Sequence, residues 1–489
     1  MYGRIVRGIT PHVSEAERLL RRAGHHQKTS RRVPQHMISA FIAVAVLLVA
    51  AILLLAVRRR AERDIAISAR SARITGSMPV ASTGAPDAPS TLAAAEAVGA
   101  AMIQAGYSVE TVQDVLGDIA RVNNLPESEV LVFPNALLVS ARGSGQHRTG
   151  AVTSADGQLL FSQINEVQQT VDAARTGVLD PRSTIERIAR IRDMTPTYGR
   201  VVRVVGYGFL SAALSVLLGA SWTGVWLAAA LGLLTGAALM LSERLPQRYG
   251  ALITVSIAFL VALVVFLLLR AGWGSGILAA LLAPLVVLLP GALLTTAVLE
   301  LSTGHMISGA GRAAAGAMQL VLLSAGIVTA GAVVGVPDFD FSEHPEMLGQ
   351  VAPWIAVAVY GVAISVHRCA PPRIVPWILL VLYVAYAAQV LADLVLGGVL
   401  SAFVGALCVT PVTALVARQP SGPAALVSFT PAFWLLVPGA LGLVGVADVL
   451  GGDAAASASL VATVSTMVAI ALGVLAGSSL SNRMRRPAL

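Results

Sequence analysis

The chain has 489 residues, of which 56% are hydrophobic and only 12% are charged, and its mean hydropathy is +0.77. A soluble protein of this length carries about twice that fraction of charge, so the composition excludes an ordinary globular class and indicates a polytopic membrane protein. The net charge of +8 does not indicate nucleic-acid binding, because the arginines concentrate in the first 203 residues and in short loops between apolar segments.

The motifs predict neither a cofactor nor an enzymatic activity. The two cysteines, Cys369 and Cys408, are too few for a disulfide framework or a cysteine-rich metal site. There is no P-loop, so we do not expect ATP hydrolysis to drive the protein. Residues 143–147 (Gly-Ser-Gly-Gln-His) predict a flexible loop rather than the nucleophile elbow of a hydrolase. We therefore expect no catalytic residues, no cofactor and no metal.

The N-terminal region divides into three parts. Residues 1–37 form a basic leader, residues 38–57 are apolar and long enough to cross a bilayer, and residues 58–89 have the composition of a linker. No small-residue cleavage site follows the apolar segment, which favours an uncleaved anchor over a signal peptide. An anchor followed by a cytoplasmic domain would put the basic leader outside, against the positive-inside rule, so whether residues 38–57 span stays open.

Residues 90–203 predict a small α+β domain. Ser90 is expected to cap one helix, and Ser108 is expected to cap the next, with Glu110 close to its N-terminus. The predicted order is two helices, a small sheet and two helices. The helices are placed at residues 93–106, 109–122, 164–176 and 184–192, and the strands at 130–133, 136–140 and 159–161.

From residue 204 onward the chain is a series of apolar segments of the length that a membrane-crossing helix needs. The ten predicted core segments are residues 204–222, 224–242, 251–269, 276–299, 313–336, 351–367, 375–394, 395–417, 424–447 and 456–477. If the α+β domain is cytoplasmic, nine arginines fall in cytoplasmic loops and the tail, and only Arg270 falls outside. This bias follows the positive-inside rule, so we predict that the α+β domain and the C-terminus are cytoplasmic.

One motif recurs at a fixed distance. Pro290-Gly291-Ala292-Leu293 is repeated 148 residues later by Pro438-Gly439-Ala440-Leu441, and Glu300 and Asp448 have the same separation. Ten segments in two copies make five per copy, and an odd number of crossings inverts the second copy. The predicted fold is therefore ten core transmembrane helices in a 5+5 inverted repeat, over residues 204–345 and 346–489, preceded by the α+β domain and the candidate anchor.

The repeated Pro-Gly pairs are candidate substrate-binding segments. Proline removes a backbone donor and glycine permits unusual backbone angles, so each pair interrupts its apolar helix. Freed backbone groups are tolerated at membrane depth only where they are buried in protein or line a wet cavity, and paired interruptions are typical of transporter sites. The candidates are Pro290, Gly291, Pro438, Gly439 and Thr430, the last beside a further proline. The alternative is a plain proline kink in each helix.

Few ionisable residues lie in or near the predicted membrane helices. Because a charge inside a bilayer is costly, we take Asp393, Glu300 and Asp448 as candidate proton-coupling residues. The alternative for Glu300 and Asp448 is that they mark interfacial helix ends. For His305 and His367, a structural role at the interface is the preferred hypothesis.

Taken together, these features resemble the threonine/serine exporter (ThrE) family of bacterial membrane proteins. The resemblance covers about residues 90–480, in the order of the elements, in Thr195-Pro196-Thr197-Tyr198-Gly199, in residues 304–312, and in Thr430-Pro431 followed by Pro438-Gly439. It implies proton-motive-force-driven export of threonine and serine across the bacterial inner membrane. Residues 38–57 and 300–305 depart from the family pattern, which puts the substrate in question.

Other functions and assemblies stay open at this stage. One alternative is a membrane-embedded sensor or enzyme that acts through its α+β domain, and another is an exporter of a different small metabolite. The expected partners are a small amino acid, protons and the lipid bilayer, without nucleic acid, and a homo-oligomer is left open.

Overall fold

The computed structural model describes residues 38–56, 88–125, 128–143, 146–153, 157–274, 277, 279–335, 348–436 and 456–483. The predicted basic leader and most of the predicted linker lie outside these residues. So do Pro438, Gly439 and Asp448.

The α+β domain packs four helices with one small sheet. The helices are α2 (Ala88–Ala105), α3 (Val109–Val122), α4 (Phe161–Arg175) and α5 (Pro181–Arg192), and the strands are β1 (Ser128–Val132), β2 (Ala136–Gly143) and β3 (Gln146–Thr153). The strands form an antiparallel sheet in the order β1-β2-β3. Val98, Leu116, Leu137 and Val167 are fully buried and belong to the core that joins the helices to the sheet.

Two details of this domain were predicted wrongly. Helix α2 begins at Ala88, so Ser90 lies inside the helix and is not its cap, whereas Ser108 does cap α3 by accepting a hydrogen bond from the Thr111 amide at 3.4 Å. The predicted strand at residues 159–161 is absent, since Phe161 is already the first residue of α4. The third strand is Gln146–Thr153, which pairs with β2 through its backbone although its polar and small residues give no strand-like alternation.

The remaining described helices are apolar. They are α1 (Ile38–Ala56), α6 (Arg200–Leu217), α7 (Trp222–Ser242), α8 (Gly250–Arg270), α9 (Ala279–Leu282), α10 (Gly291–Ser302), α11 (Met306–Val334), α12 (Ala352–His367), α13 (Val375–Leu396), α14 (Gly398–Ala417), α15 (Ala425–Leu436) and α16 (Ala456–Arg483). Within the described residues, eight helices are long and apolar enough to cross a membrane, or nine if α9 and α10 count as one bent span. The polytopic membrane class is confirmed.

The predicted total of ten core spans is not reached by helix length. Each of the ten predicted segments contains a helix, but α12 has 16 residues and α15 has 12. At 1.5 Å per residue, α12 is about 24 Å long, somewhat shorter than a hydrocarbon core of about 30 Å. Helix α15 ends at Leu436, the last residue described before residue 456.

Helix α1 packs on the rim of the bundle. Ala43 is fully buried and shares a cluster with Trp354 and Ala387, while the opposite face of α1 exposes large apolar side chains such as Phe41 and Ile52. A helix with one small-residue face against protein and one bulky apolar face outward is suited to a position between the bundle and lipid.

The α+β domain lies against one end of the helix bundle. The Phe161 amide at the start of α4 donates to the carbonyl of Arg368, the residue that follows α12, at 2.8 Å. At the opposite end of the bundle, the Arg270 guanidinium donates to the carbonyl of Val334, the last residue of α11. Arg270 is therefore separated from the arginines beside the α+β domain, in agreement with the predicted loop pattern.

The third and fifth core helices pack in the same way in both predicted halves. A Cβ placed on Gly326 of α11 would come within 2.7 Å of the Val255 carbonyl oxygen on α8, and one on Gly473 of α16 would come within 2.5 Å of the Phe403 carbonyl oxygen on α14. The two glycines are 147 residues apart, and the two contacted residues are 148 apart. Glycine therefore permits the same close backbone approach at corresponding positions.

The first and fourth core helices also correspond. The Tyr207 hydroxyl on α6 donates to the Pro284 carbonyl at 2.7 Å, and the Tyr360 hydroxyl on α12 donates to the Pro431 carbonyl at 3.0 Å. Both tyrosines are fully buried. In each half, therefore, a tyrosine of the first helix binds the carbonyl of a proline in the fourth.

We predict that alanine at Gly326 and at Gly473 destabilises the protein, because each added methyl group collides with neighbouring backbone at a cost of about 1–3 kcal/mol. The matched control is Gly311→Ala on the same helix as Gly326, where the new Cβ would lie 3.6 Å from Pro134. Because alanine has a better helix propensity than glycine, by about 1 kcal/mol, Gly311→Ala should leave the stability of the protein unchanged or raise it. Melting temperatures in one detergent check this, and equal values for Gly326→Ala and Gly311→Ala would contradict it.

Candidate functional site

The fourth core segment is broken rather than smoothly kinked. Helix α9 is followed by a 3-10 helix (Ala283–Leu288), and α10 begins at Gly291 with its axis turned by 55°. Side chains bind two carbonyl oxygens of this region: Tyr207 donates to Pro284, and Gln319 of α11 donates to Leu288 at 3.2 Å. The buried Tyr207 and the half-buried Gln319 thus supply hydrogen-bond partners to backbone carbonyls at the break.

One cavity lies on the side of the break that faces away from the α+β domain. We call it the distal cavity; its volume is about 490 Å³ and Gly291 is part of its wall. Most of its lining is apolar, and its polar side chains include Gln389, Asp393, Ser401 and Thr466. Small-molecule sites have volumes of roughly 300–1,000 Å³ with a few polar groups in an apolar lining, and the distal cavity fits that description.

A second cavity lies between the α+β domain and the membrane helices. We call it the proximal cavity; its volume is about 290 Å³. The α+β domain contributes Gly106 and Phe161 among others, and the membrane helices contribute Thr295, Thr430 and Arg368 among others. This cavity is therefore built by both parts of the protein.

The start of α10 and one tryptophan separate the two cavities. Gly291, the first residue of α10, lines the distal cavity, whereas Ala292 and Thr295 line the proximal cavity. Trp434 of α15 lines both.

The structure distributes the predicted site residues over these features. Gly291 and Asp393 line the distal cavity, Thr430 lines the proximal cavity, and Pro290 is buried beside Gly291. Thr430 uses its hydroxyl to donate to the Leu426 carbonyl of its own helix at 2.8 Å. The second Pro-Gly pair, Pro438-Gly439, and Asp448 lie outside the described residues.

Glu300 lies at the boundary between the domains rather than in a cavity wall. It is 1% exposed, pairs with Arg312 at 3.1 Å and accepts hydrogen bonds from the Ser308 hydroxyl at 2.6 Å and the Val109 amide at 3.0 Å. Val109 is the first residue of α3, so the carboxylate meets the positive end of that helix. This residue joins α10, and with it the broken segment, to the α+β domain.

Further hydrogen bonds hold the α+β domain against helices α11 and α15 of the bundle. The Arg312 guanidinium donates to the Tyr107 carbonyl at 3.2 Å, and the Ala424 amide before α15 donates to the Asn165 side chain at 3.0 Å. Burial, assisted by the nearby charge of Asp172, raises the pKa of Tyr107 well above its ordinary value. Its hydroxyl therefore stays protonated and donates to Gln168 at 2.6 Å.

Arg312, Arg368 and Trp434 have roles that were not predicted from the sequence. Both arginines are among the nine that fit the positive-inside pattern, and both bind the α+β domain and line the proximal cavity. A signal was present for Arg312, because Glu300 and Arg312 flank the short polar, glycine-containing connection between two predicted membrane helices. Nothing in the local sequence marks Trp434 as part of a wall between cavities.

His305 and His367 both have structural contacts. His305 is within hydrogen-bond distance of Gln113 in α3, at 3.1 Å, and His367 contacts the carbonyl of Arg203 at 3.2 Å and the edge of the Tyr207 ring. Among the described residues there is no group of three or more metal-ligating side chains close enough to hold an ion.

The comparison with known families now bears on this arrangement. Residues 94–334 match the family model described as “Putative threonine/serine exporter” (ThrE). Over these residues, just under half of the chain, the sequence is similar to the ThrE family. The resemblance predicted from the sequence is confirmed, and the family is one of membrane transporters. The match spans the α+β domain and the core helices α6 to α11. The searches of curated proteins and of solved structures returned no match.

We predict that Glu300→Ala destabilises the protein by about 3–5 kcal/mol, because it leaves Arg312 buried without its partner. The Val109 amide also loses its acceptor, so hydrogen exchange at the start of α3 should accelerate. The control is Glu166→Ala, which removes a partly exposed pair with Arg187 and should cost about 1 kcal/mol or less. Equal melting temperatures for the two variants would show that Glu300 does not hold the domains together.

Proposed function

We propose that the protein is a secondary active exporter of threonine and serine, driven by the proton motive force, in the inner membrane of a bacterium. The observation that carries this proposal is the pair of cavities on opposite sides of the break at Gly291. Alternating access requires a site reached from each side in turn, with a closed wall between the two routes. The ThrE family match supports the transporter class and the substrate.

An inverted duplication of five helices would explain the matched packing of the two halves. Gly326 and Gly473 and the residues that they contact make equivalent contacts at separations of 147 and 148 residues, and Tyr207 and Tyr360, which are 153 residues apart, each bind a proline carbonyl in the fourth helix of their half. Five crossings per half invert the second copy relative to the first. Opening then consists of rocking one half against the other around the broken segments.

We also propose that the α+β domain and the C-terminus are cytoplasmic. The arginine distribution supports this orientation, because the end of the bundle beside the α+β domain holds Arg203, Arg312 and Arg368, whereas Arg270 lies at the other end. The proximal cavity is then the cytoplasmic route and the distal cavity is the external one. Asp393 in the distal cavity is the proposed proton-coupling residue.

Efflux from cells preloaded with labelled threonine tests the function. Cells that express the protein should lose threonine faster than cells without it, and an uncoupler should reduce that difference. Equal efflux in both strains would disprove the substrate. An effect that survives the uncoupler would disprove the energy source alone.

A second candidate function rests on the contacts of the α+β domain. Because this domain closes one side of the proximal cavity, it is also placed to regulate transport or to sense the transported molecule. Deleting residues 58–195 separates the two roles at matched expression. Retained but unregulated efflux assigns the domain to regulation, and lost efflux assigns it to the transport path.

We predict that Asp393→Asn abolishes uphill export but leaves downhill exchange of threonine, because the amide keeps the shape of the side chain and cannot release a proton. The control is Asp340→Asn, which removes an acid from the chain between α11 and α12 and should leave both activities intact. Reconstituted vesicles with and without an imposed proton gradient provide the measurement. Uphill export by Asp393→Asn at the rate of Asp340→Asn would remove Asp393 from the mechanism.

A further inference from the structure

The proximal cavity carries a positive charge that no acidic side chain among the described residues neutralises. Arg312 is paired with Glu300, but Arg368 forms no ion pair there. The two terminal nitrogens of Arg368 donate to neutral acceptors, the Gln158 side chain at 2.9 Å and the Leu159 carbonyl at 3.1 Å. Its Nε atom is buried and has no hydrogen-bond partner. A charge in this setting favours an anionic ligand.

A second polar group of the same cavity also lacks a partner. Thr295 is 5% exposed, and its hydroxyl oxygen is buried without a hydrogen bond. This residue lies on α10, four positions after the Gly291 that begins the helix at the break. Buried polar groups without partners are rare and costly, so each of them requires an explanation. A ligand in the proximal cavity would explain why the Thr295 hydroxyl and the Nε atom of Arg368 lack hydrogen-bond partners.

The rest of the lining restricts what that ligand is. Phe161, Phe429, Phe433 and Trp434 surround the cavity, so most of its surface is apolar and aromatic. Aromatic faces accept an ammonium group as well as an apolar side chain. At about 290 Å³ the cavity is at the lower end of small-molecule sites, which excludes large ligands. A small zwitterion has the required size, anionic group and cationic group.

We propose that the proximal cavity binds the α-carboxylate of a small amino acid, with Arg368 supplying the charge and Thr295 a hydrogen bond. The proposal rests on the proposed export function and adds a location and a binding chemistry to it. Because Arg368 is held by Gln158 and Leu159, the α+β domain positions the arginine that receives the ligand. Because Thr295 lies on α10, the ligand also contacts the helix that begins at the break.

Competition between threonine and threoninamide tests the carboxylate directly. The purified full-length protein is incubated with labelled threonine, and each unlabelled compound is added as a competitor. Threoninamide has the ammonium, hydroxyl and methyl groups of threonine but no negative charge. In the wild type, threonine should compete at least about tenfold better than threoninamide, as expected for a lost charge-assisted hydrogen bond.

The Arg368→Gln variant should lose this preference. We expect its affinity for threonine to fall about tenfold or more, while its affinity for threoninamide changes little, so the ratio of the two approaches one. General damage to the domain contact lowers both affinities together and leaves the ratio unchanged. The matched control is Arg373→Gln, an exposed arginine in the 3-10 helix that precedes α13, which should keep the wild-type ratio.

Thr295→Val keeps the proposal testable if Arg368→Gln does not accumulate. This nearly isosteric change should weaken threonine binding several-fold, whereas Thr329→Val, on an exposed hydroxyl that bonds within its own helix, should not. An unchanged ratio in Arg368→Gln, or unchanged threonine binding in Thr295→Val, overturns the site while wild-type efflux of threonine still supports the function. A wild type that neither binds nor exports threonine overturns both.

Discussion

A helix that breaks inside a bilayer exposes backbone groups that water cannot satisfy, and the arrangement of this bundle depends on supplying their partners. Tyr207 and Gln319 bind the carbonyls of Pro284 and Leu288 in the broken segment, and Tyr360 binds the carbonyl of Pro431 inside α15. These bonds help to hold α6 beside the broken segment and α12 beside α15. The central helices are thus positioned by hydrogen bonds as well as by packing, and the cavities form on either side of the break.

The α+β domain is attached to α10, the helix that begins at the break, so a movement at the break can reach the domain. Glu300 and the break at Gly291 belong to the same short helix α10, so a movement of that helix changes the position of the carboxylate beneath α3. Separating Glu300 from Arg312 and the Val109 amide would leave buried charge unpaired, which costs several kcal/mol. The domain and α10 are therefore expected to move together. A rearrangement at the break would then shift the α+β domain through α10.

The sequence predicted those features that depend on local pattern. Each apolar segment of membrane-crossing length contains a helix in the structure. The Ser108 cap and the interruption at Gly291 are local sequence signals that the structure also shows. Strand β3 was missed because its backbone pairing with β2 is not encoded in an alternation of side chains. The environment of Glu300 was also beyond sequence reasoning. Its ion pair with Arg312 is local, but its bond to the Val109 amide spans 191 residues and appears only after folding.

The family match covers only part of the lining of the proximal cavity. The matched residues, 94–334, include Thr295 and the α+β wall of the cavity, but Arg368, Thr430 and Trp434 lie beyond them. The proximal cavity is therefore assembled from the α+β domain and from helices both inside and outside the matched residues. If Arg368 and Thr295 bind the carboxylate, discrimination among side chains falls to the rest of the lining, which includes Phe429, Thr430 and Phe433.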